Sequence, residues 1–298
     1  MTQLPEQSRR DVLKPLGPDS MTWKDFGSWR FNLMLPQAFV LQVAHPIVDA
    51  GVGEHSVYKT DPWGRAKRST ALLWPIVYAR PQKAIEMGVK LYDLHRSIKG
   101  VDKHGNKYFS LDPEAYSWVH ITGYDATTRM HEMLGKSPTT EQRTIMFKEW
   151  RQLGLLMGIR DQDLPENESE YWDYFHGMIQ DKLEMGEVAS DLLAHNHYLE
   201  IPKPPIKWLP SMAWIMIRAV MGRFLRFNLR ATLPHQFREK FDIPWSKGDE
   251  RRFRIWCGFY RIMHSLTPKK MRLIPMARKA FDDAKAHPDV YQAGVSSR

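Results

Sequence analysis

The chain has 298 residues, with 43 lysines and arginines against 34 aspartates and glutamates for a net charge of +9, and 43% of it is hydrophobic. That length can bury one large core, and the basic balance invites an anionic partner. The basic residues are scattered and no RNA-recognition or zinc-finger spacing occurs, which argues against nucleic acid; the single cysteine, Cys257, excludes intrachain disulfides and cysteine-rich metal sites.

Residues 1–20 are polar and proline-bearing and read as a flexible arm. The Arg9-Arg10 pair has no apolar stretch behind it, so a secretory signal is not expected and a cytoplasmic location is. No window of about eighteen apolar residues predicts a spanning helix. Helical periodicity dominates from there on, and strand-like alternation is scarce. The reading is an all-α fold with one large helical domain over 21–266 and a basic tail over 267–298.

A helix starts near Thr22, with Trp23, Phe26 and Trp29 at three-residue spacing. Phe39 to Val48 is a compact apolar run in which Pro46 forces a kink or a break. Asp61-Pro62 starts a helix through Arg65, Arg68 and Leu72. Pro81 opens the next, which carries Ala84, Gly88, Leu91, His95 and Ile98 on one face until Gly100 stops it. KHGNKYF then reads as a polar turn. Asp112-Pro113 begins a helix with Trp118, His120 and Asp125, and Thr139-Thr140-Glu141 begins one with Phe147, Trp150, Leu153 and Leu156.

Tyr171 to Leu193 reads as one further helix, and the proline-rich stretch from Ile201 as a stiff connector. Met212 to Leu229 is apolar, with Arg218, Arg226 and Arg230 aligned on one face. Such a helix suits either an anionic membrane surface or docking on a core with its charged face in water. A last long helix spans Lys247 to Leu266.

No G-x-S-x-G elbow, P-loop or G-x-G-x-x-G occurs, which removes the usual support for hydrolase, kinase and dehydrogenase chemistry. His131-Glu132 and Glu54-His55 each lack the second histidine of a helical metal site, and His195 and His197 would point about 200 degrees apart on a helix. A haem asks less: one neutral histidine, an apolar cavity, and cations for two propionates. His95 on its apolar stripe supplies the first, and Arg65, Lys67 and Arg68 suit the last. Ordinary roles are also available to all of these residues. His95 suits a hydrogen-bonded core position, His45 can answer a carbonyl freed by Pro46, and Glu54 and His55 can cap a helix. Arg65 and Arg68 suit a solvated surface, and His120 can pair with Asp125 or a backbone group. Spacing alone does not choose.

Taken in order, QVAHPIVDAGVGEHS, DPWGRAKRS, LYDLHRSIKG and DPEAYSWVHITGYD resemble the MpaB-type oxygenase family, whose members include rubber oxygenases. The resemblance runs from about Trp29 to Leu164 and more weakly to about Trp245. It implies an all-helical fold, globin-like in helix content, enclosing a haem b, with oxidative cleavage of isoprenoid carbon-carbon double bonds as the activity. It implies His95 as the axial iron ligand, with dioxygen bound at that iron, and Arg65, Arg68 and Ser69 at the haem periphery. His45 and His120 are further cofactor-binding candidates, and Glu54 and His55 the catalytic ones, moving a proton or polarising oxygen. Two departures stand out. Arg68 occupies a position where rubber oxygenases can supply a lysine to the iron, and a guanidinium cannot shed its proton to ligate. Glu54 is only the nearest counterpart of their distal carboxylate. The expected substrate is a hydrophobic isoprenoid or lipid-like molecule, with peripheral membrane association as a further expectation. The alternative is a haem-binding sensor, carrier or store without turnover.

Overall fold

The computed structural model describes residues 14–102 and 104–292. Prolines and short polar caps decide where its helices begin. After α1 (Met21–Phe26), α2 (Trp29–Asn32) and α3 (Leu35–Val43), Pro46 opens α4 (Pro46–His55), Pro62 opens α5 (Pro62–Tyr78) and Pro81 opens α6 (Pro81–Arg96). In each case the proline sits where an N–H would go unused, and its fixed φ favours the first turn. The Asp61 carboxylate adds a cap by accepting from the Gly64 N–H. Pro46 therefore produces a break, not a kink.

The segment KHGNKYF does more than turn. Lys99–Val101 (β1) and Lys107–Phe109 (β2) pair antiparallel, Gly100 opposite Tyr108. Asp102 accepts from the backbone N–H groups of His104 and Asn106, and Gly105 takes a φ of 84° that favours glycine. The paired strands are too short for period-two alternation to be visible.

Asp112 caps α7 (Pro113–Leu134), the central helix, which buries Trp118, His120, Ile121, Tyr124, Asp125 and Met130 among others. Around it lie α3, α8 (Thr140–Leu156) and α9 (Glu168–Gly177). Trp118 Nε1 donates to the Leu41 carbonyl at 2.8 Å and the Tyr171 hydroxyl to that of Ile121 at 3.1 Å. Asp125 is fully buried and accepts from Arg129 Nε at 2.9 Å and from Gln37 at 3.2 Å.

The stretch Tyr171 to Leu193 is not one helix. After α9 a π-helical turn, Met178–Lys182, ends it, and α10 (Glu187–Leu193) starts afresh. The neighbouring break is the cause. The Glu184 N–H donates to the Ala44 carbonyl at 2.8 Å, and the Asp49 carboxylate accepts from Glu187 and Val188, capping α10 from another helix. Tertiary partners have replaced the helix's own bonds.

The chain continues through α11 (Ser211–Thr232), α12 (His235–Lys240) and α13 (Lys247–Leu266) to α14 (Pro275–Ala286) and α15 (Pro288–Gln292). On α11 the face with Arg218, Arg226 and Arg230 turns inward. All three are half-buried, and Arg218 donates to the Ile201 carbonyl. Segment 267–292 is anchored to the core: Phe281 and Tyr291 meet the fully buried Trp23 ring edge-on, at centroid distances of 5.4 and 5.7 Å. Arg80 grips Asp283 through two nitrogens. Among the described residues, no helix is long and apolar enough to cross a membrane.

Helices α6 and α8 touch at Gly88, where an added Cβ would sit 2.2 Å from the Leu156 carbonyl oxygen. Backbone cannot yield cheaply, so Gly88→Ala is expected to cost about 2 kcal/mol despite alanine's better helix propensity. Equilibrium urea unfolding checks this, and an unchanged or raised midpoint would contradict it.

Candidate functional site

His95 sits in the last turn of α6, half-buried, as its apolar stripe predicts. Its Nδ1 lies 2.8 Å from the Leu91 carbonyl oxygen four residues back, so Nδ1 carries the proton and donates it. Burial lowers the imidazole's pKa from its ordinary value, keeping the ring neutral at pH 7. Nε2 is then left with its lone pair, and no partner for it occurs among the described residues. Tyr116 holds the ring edge-on at 5.4 Å. A neutral imidazole fixed in this tautomer by a backbone carbonyl is the form that metals take.

The hairpin is tied to the same turn. Ser110, two residues beyond Tyr108, donates its hydroxyl to the His95 carbonyl at 2.6 Å. Tyr108 in turn joins Glu54 and His55, the last residues of α4. Its hydroxyl donates to Glu54 and lies 3.1 Å from His55 Nε2. With the phenolic proton committed to the carboxylate, Nε2 donates to the Tyr108 oxygen. Burial, then the Glu54 bond and charge, push the Tyr108 pKa up to about 12. This arrangement can hold or pass a proton. It flanks an open concavity of about 700 Å³ lined by Ile47, Val101, Tyr108, Phe109 and Leu111 among others. Tyr108 escaped the sequence reading because its segment reads as a turn and its strand is too short to show a pattern.

Arg65 lies on α5 and stacks over the Phe39 ring at 4.4 Å, with Nε donating to the Ser56 hydroxyl at 2.8 Å. Its pKa is lowered by burial and then by Arg68, and no carboxylate pairs with it among the described residues. A half-buried guanidinium without a counter-ion suits an anionic ligand. Arg68 instead ion-pairs with Asp61 at 3.1 Å on the surface, and Ser69 beside it is half-buried.

The other two histidines are occupied. His45 caps α4, with Nδ1 accepting from the Ile47 N–H at 3.3 Å and Nε2 3.5 Å from Glu114. It answers an orphan donor, not a freed carbonyl. His120 is buried in α7 with Nε2 donating to the Trp150 carbonyl at 2.7 Å, while Asp125 turns to Arg129 and Gln37. Among the described residues, no group of three or more His, Cys, Asp or Glu could hold a metal ion.

Burial pushes the His120 pKa down from 6.5 to about 4. The unfolded chain takes up this proton below about pH 6.5, whereas the folded protein resists it until about pH 4. Stability from this residue is therefore lost as pH falls through that window, on the order of 3 kcal/mol in all. Urea midpoints recorded between pH 7 and pH 4.5 should fall less steeply for His120→Gln than for the parent; identical slopes would contradict the assignment.

Comparison with known proteins bears on this arrangement as a whole. The family described as ER-bound oxygenase mpaB/B'/Rubber oxygenase, catalytic domain, matches residues 23–262. An uncharacterised protein of Mycobacterium bovis and one of Mycobacterium tuberculosis are each 24% identical over 247 residues, spanning 80% of this chain and 91% of theirs. No solved structure gives a significant match. With the family match reaching from α1 to near the end of α13, and so covering the His95 turn, the Tyr108 hairpin and Arg65, the chain belongs to the mpaB and rubber oxygenase catalytic-domain family.

Proposed function

We propose that the chain is a haem b-dependent oxygenase acting on a hydrophobic small molecule of isoprenoid or lipid-like character. The observation that carries this reading is the His95 imidazole: neutral, half-buried, anchored through Nδ1–H to the Leu91 carbonyl, with Nε2 unpartnered among the described residues. A haem needs one such protein ligand and an answer to its propionates. Arg65 has a guanidinium without a carboxylate partner. The donor set therefore fits the group, with His95 holding the iron and Arg65 a propionate, and Ser69 and Arg68 on the same helix. When bound, the haem supplies the dioxygen and redox chemistry.

The remaining roles follow from what each side chain is free to do. Arg68 pairs with Asp61, so it serves charge and not ligation. His45 and His120 have ring nitrogens committed to their own fold, one to a helix start and one to the Trp150 carbonyl. Glu54, Tyr108 and His55 are chained by hydrogen bonds. Glu54 accepts a hydrogen bond from the phenol and His55 is half-exposed, so a proton can move between solvent and the Tyr108 oxygen. The apolar concavity beside them suits an alkene-bearing chain.

Titrating the purified protein with hemin tests the reading. The wild type is expected to show a saturable Soret band and to consume dioxygen with an isoprenoid substrate. His95→Ala should lose or shift the band through changed axial ligation, and Arg65→Gln should weaken retention about tenfold with the ligation unchanged. No Soret band with the wild type, or an unaltered spectrum in His95→Ala, would overturn it.

A further inference from the structure

An unpartnered apolar face lies away from the His95 region, on α11 and α13. Phe224 meets Trp256 at 5.4 Å and Phe227 meets Phe253 at 6.2 Å, so the two helices run antiparallel, one sequence rising as the other falls. The start of α11 therefore lies alongside the end of α13. Both ends turn large apolar side chains to solvent. Met216 is 74% exposed and Val220 72% on one helix, and Phe259 62% and Leu266 73% on the other. Trp208, on the connector before α11, is 81% exposed. A groove of about 540 Å³ runs along Met216, Val220 and Phe224. An apolar surface this continuous marks an interaction site.

The charge around it indicates what covers it. Residues 201–238 contain seven lysines and arginines and no acid, and residues 251–281 contain nine and no acid. These sixteen exceed the net charge of +9, so the remainder of the chain is net negative, 9 − 16 = −7. All of the protein's basic excess therefore resides in the segments that carry the patch. Lys203, Lys207, Arg223 and Lys269 are exposed and have no carboxylate partner among the described residues. A second copy of the chain seated on this face would bring two such basic rims together. A bilayer with anionic headgroups offers acyl chains to the centre and negative charge to the rim.

We infer that the α11–α13 face is a membrane-docking surface for anionic lipid, seating Met216, Val220, Phe259 and Leu266 among the acyl chains and the basic rim among the headgroups. It does not depend on the haem assignment. The sequence left Arg218, Arg226 and Arg230 between a membrane surface and a solvated face; the structure turns all three inward. The seated edge is joined to the candidate site, because Trp214 on α11 packs against Trp63, two residues before Arg65, at 6.0 Å.

Co-sedimentation of the full chain with vesicles tests this. Vesicles of phosphatidylcholine with added phosphatidylglycerol should pellet the protein, salt should weaken the binding, and phosphatidylcholine alone should bind at least tenfold less. Met216→Glu combined with Phe259→Glu should abolish pelleting, and Lys207→Glu with Lys269→Glu should weaken it about tenfold or more, both with the thermal melt of the parent. Failure of the parent to pellet with anionic vesicles, or unchanged pelleting of the first variant, would overturn the inference. So would a dimer in light scattering that Met216→Glu with Phe259→Glu dissociates, since a second copy would then be the occupant.

Discussion

Helix α7 is buried along most of its length, and its polar groups have to be answered from inside the protein. That demand organises the fold. Trp118 reaches back to the Leu41 carbonyl of α3, His120 to the Trp150 carbonyl of α8, and Tyr171 of α9 returns a bond to Ile121. At Trp150 and Ile121 the bond uses the second lone pair of a carbonyl inside a helix; at Leu41 it answers a carbonyl in the last turn of α3, since the His45 N–H goes to Gln42 instead. Leaving any of these donors unmade in the core would cost about 1 to 3 kcal/mol. Three flanking helices are thereby fixed in position and angle around a single rod.

The candidate site grows from the same device used once more at the edge. His95 donates to the Leu91 carbonyl as His120 donates to that of Trp150, but through the other nitrogen and from a half-buried position. The difference decides their roles. His120 spends Nε2 on the fold and His95 keeps it. Ser110 then locks the hairpin to the His95 turn, which carries Tyr108 to Glu54 and His55. A structural bond just past β2 thus positions the Tyr108 hydroxyl two residues before it.

Much of this was legible in the sequence wherever the cause was local. Asp61-Pro62, Pro81, Asp112-Pro113 and Thr139 each announce a helix start through their own side chains, and each start is found. The stripe that carries His95 is a matter of spacing, and it is found from Ala84 to His95; the helix ends at Arg96, before Ile98, and Gly100 lies in β1. What escaped depends on partners distant in the chain. The break after Gly177 arises because Ala44 and Asp49 offer better partners than the helix itself. The inward turn of Arg218 answers the Ile201 carbonyl, and periodicity cannot say which of two faces will meet the core. The lone pair of His95 also required coordinates, because a residue on a stripe can use either nitrogen.

The account turns on which nitrogen of His95 carries the proton. Long-range proton–nitrogen correlation spectra of the uniformly labelled protein without added hemin, near pH 7, report this directly. The Nδ1–H tautomer with an unprotonated Nε2 is the predicted result, with those signals lost when hemin is added. An Nε2–H tautomer, a charged imidazolium, or His95 signals indifferent to hemin would contradict the central claim.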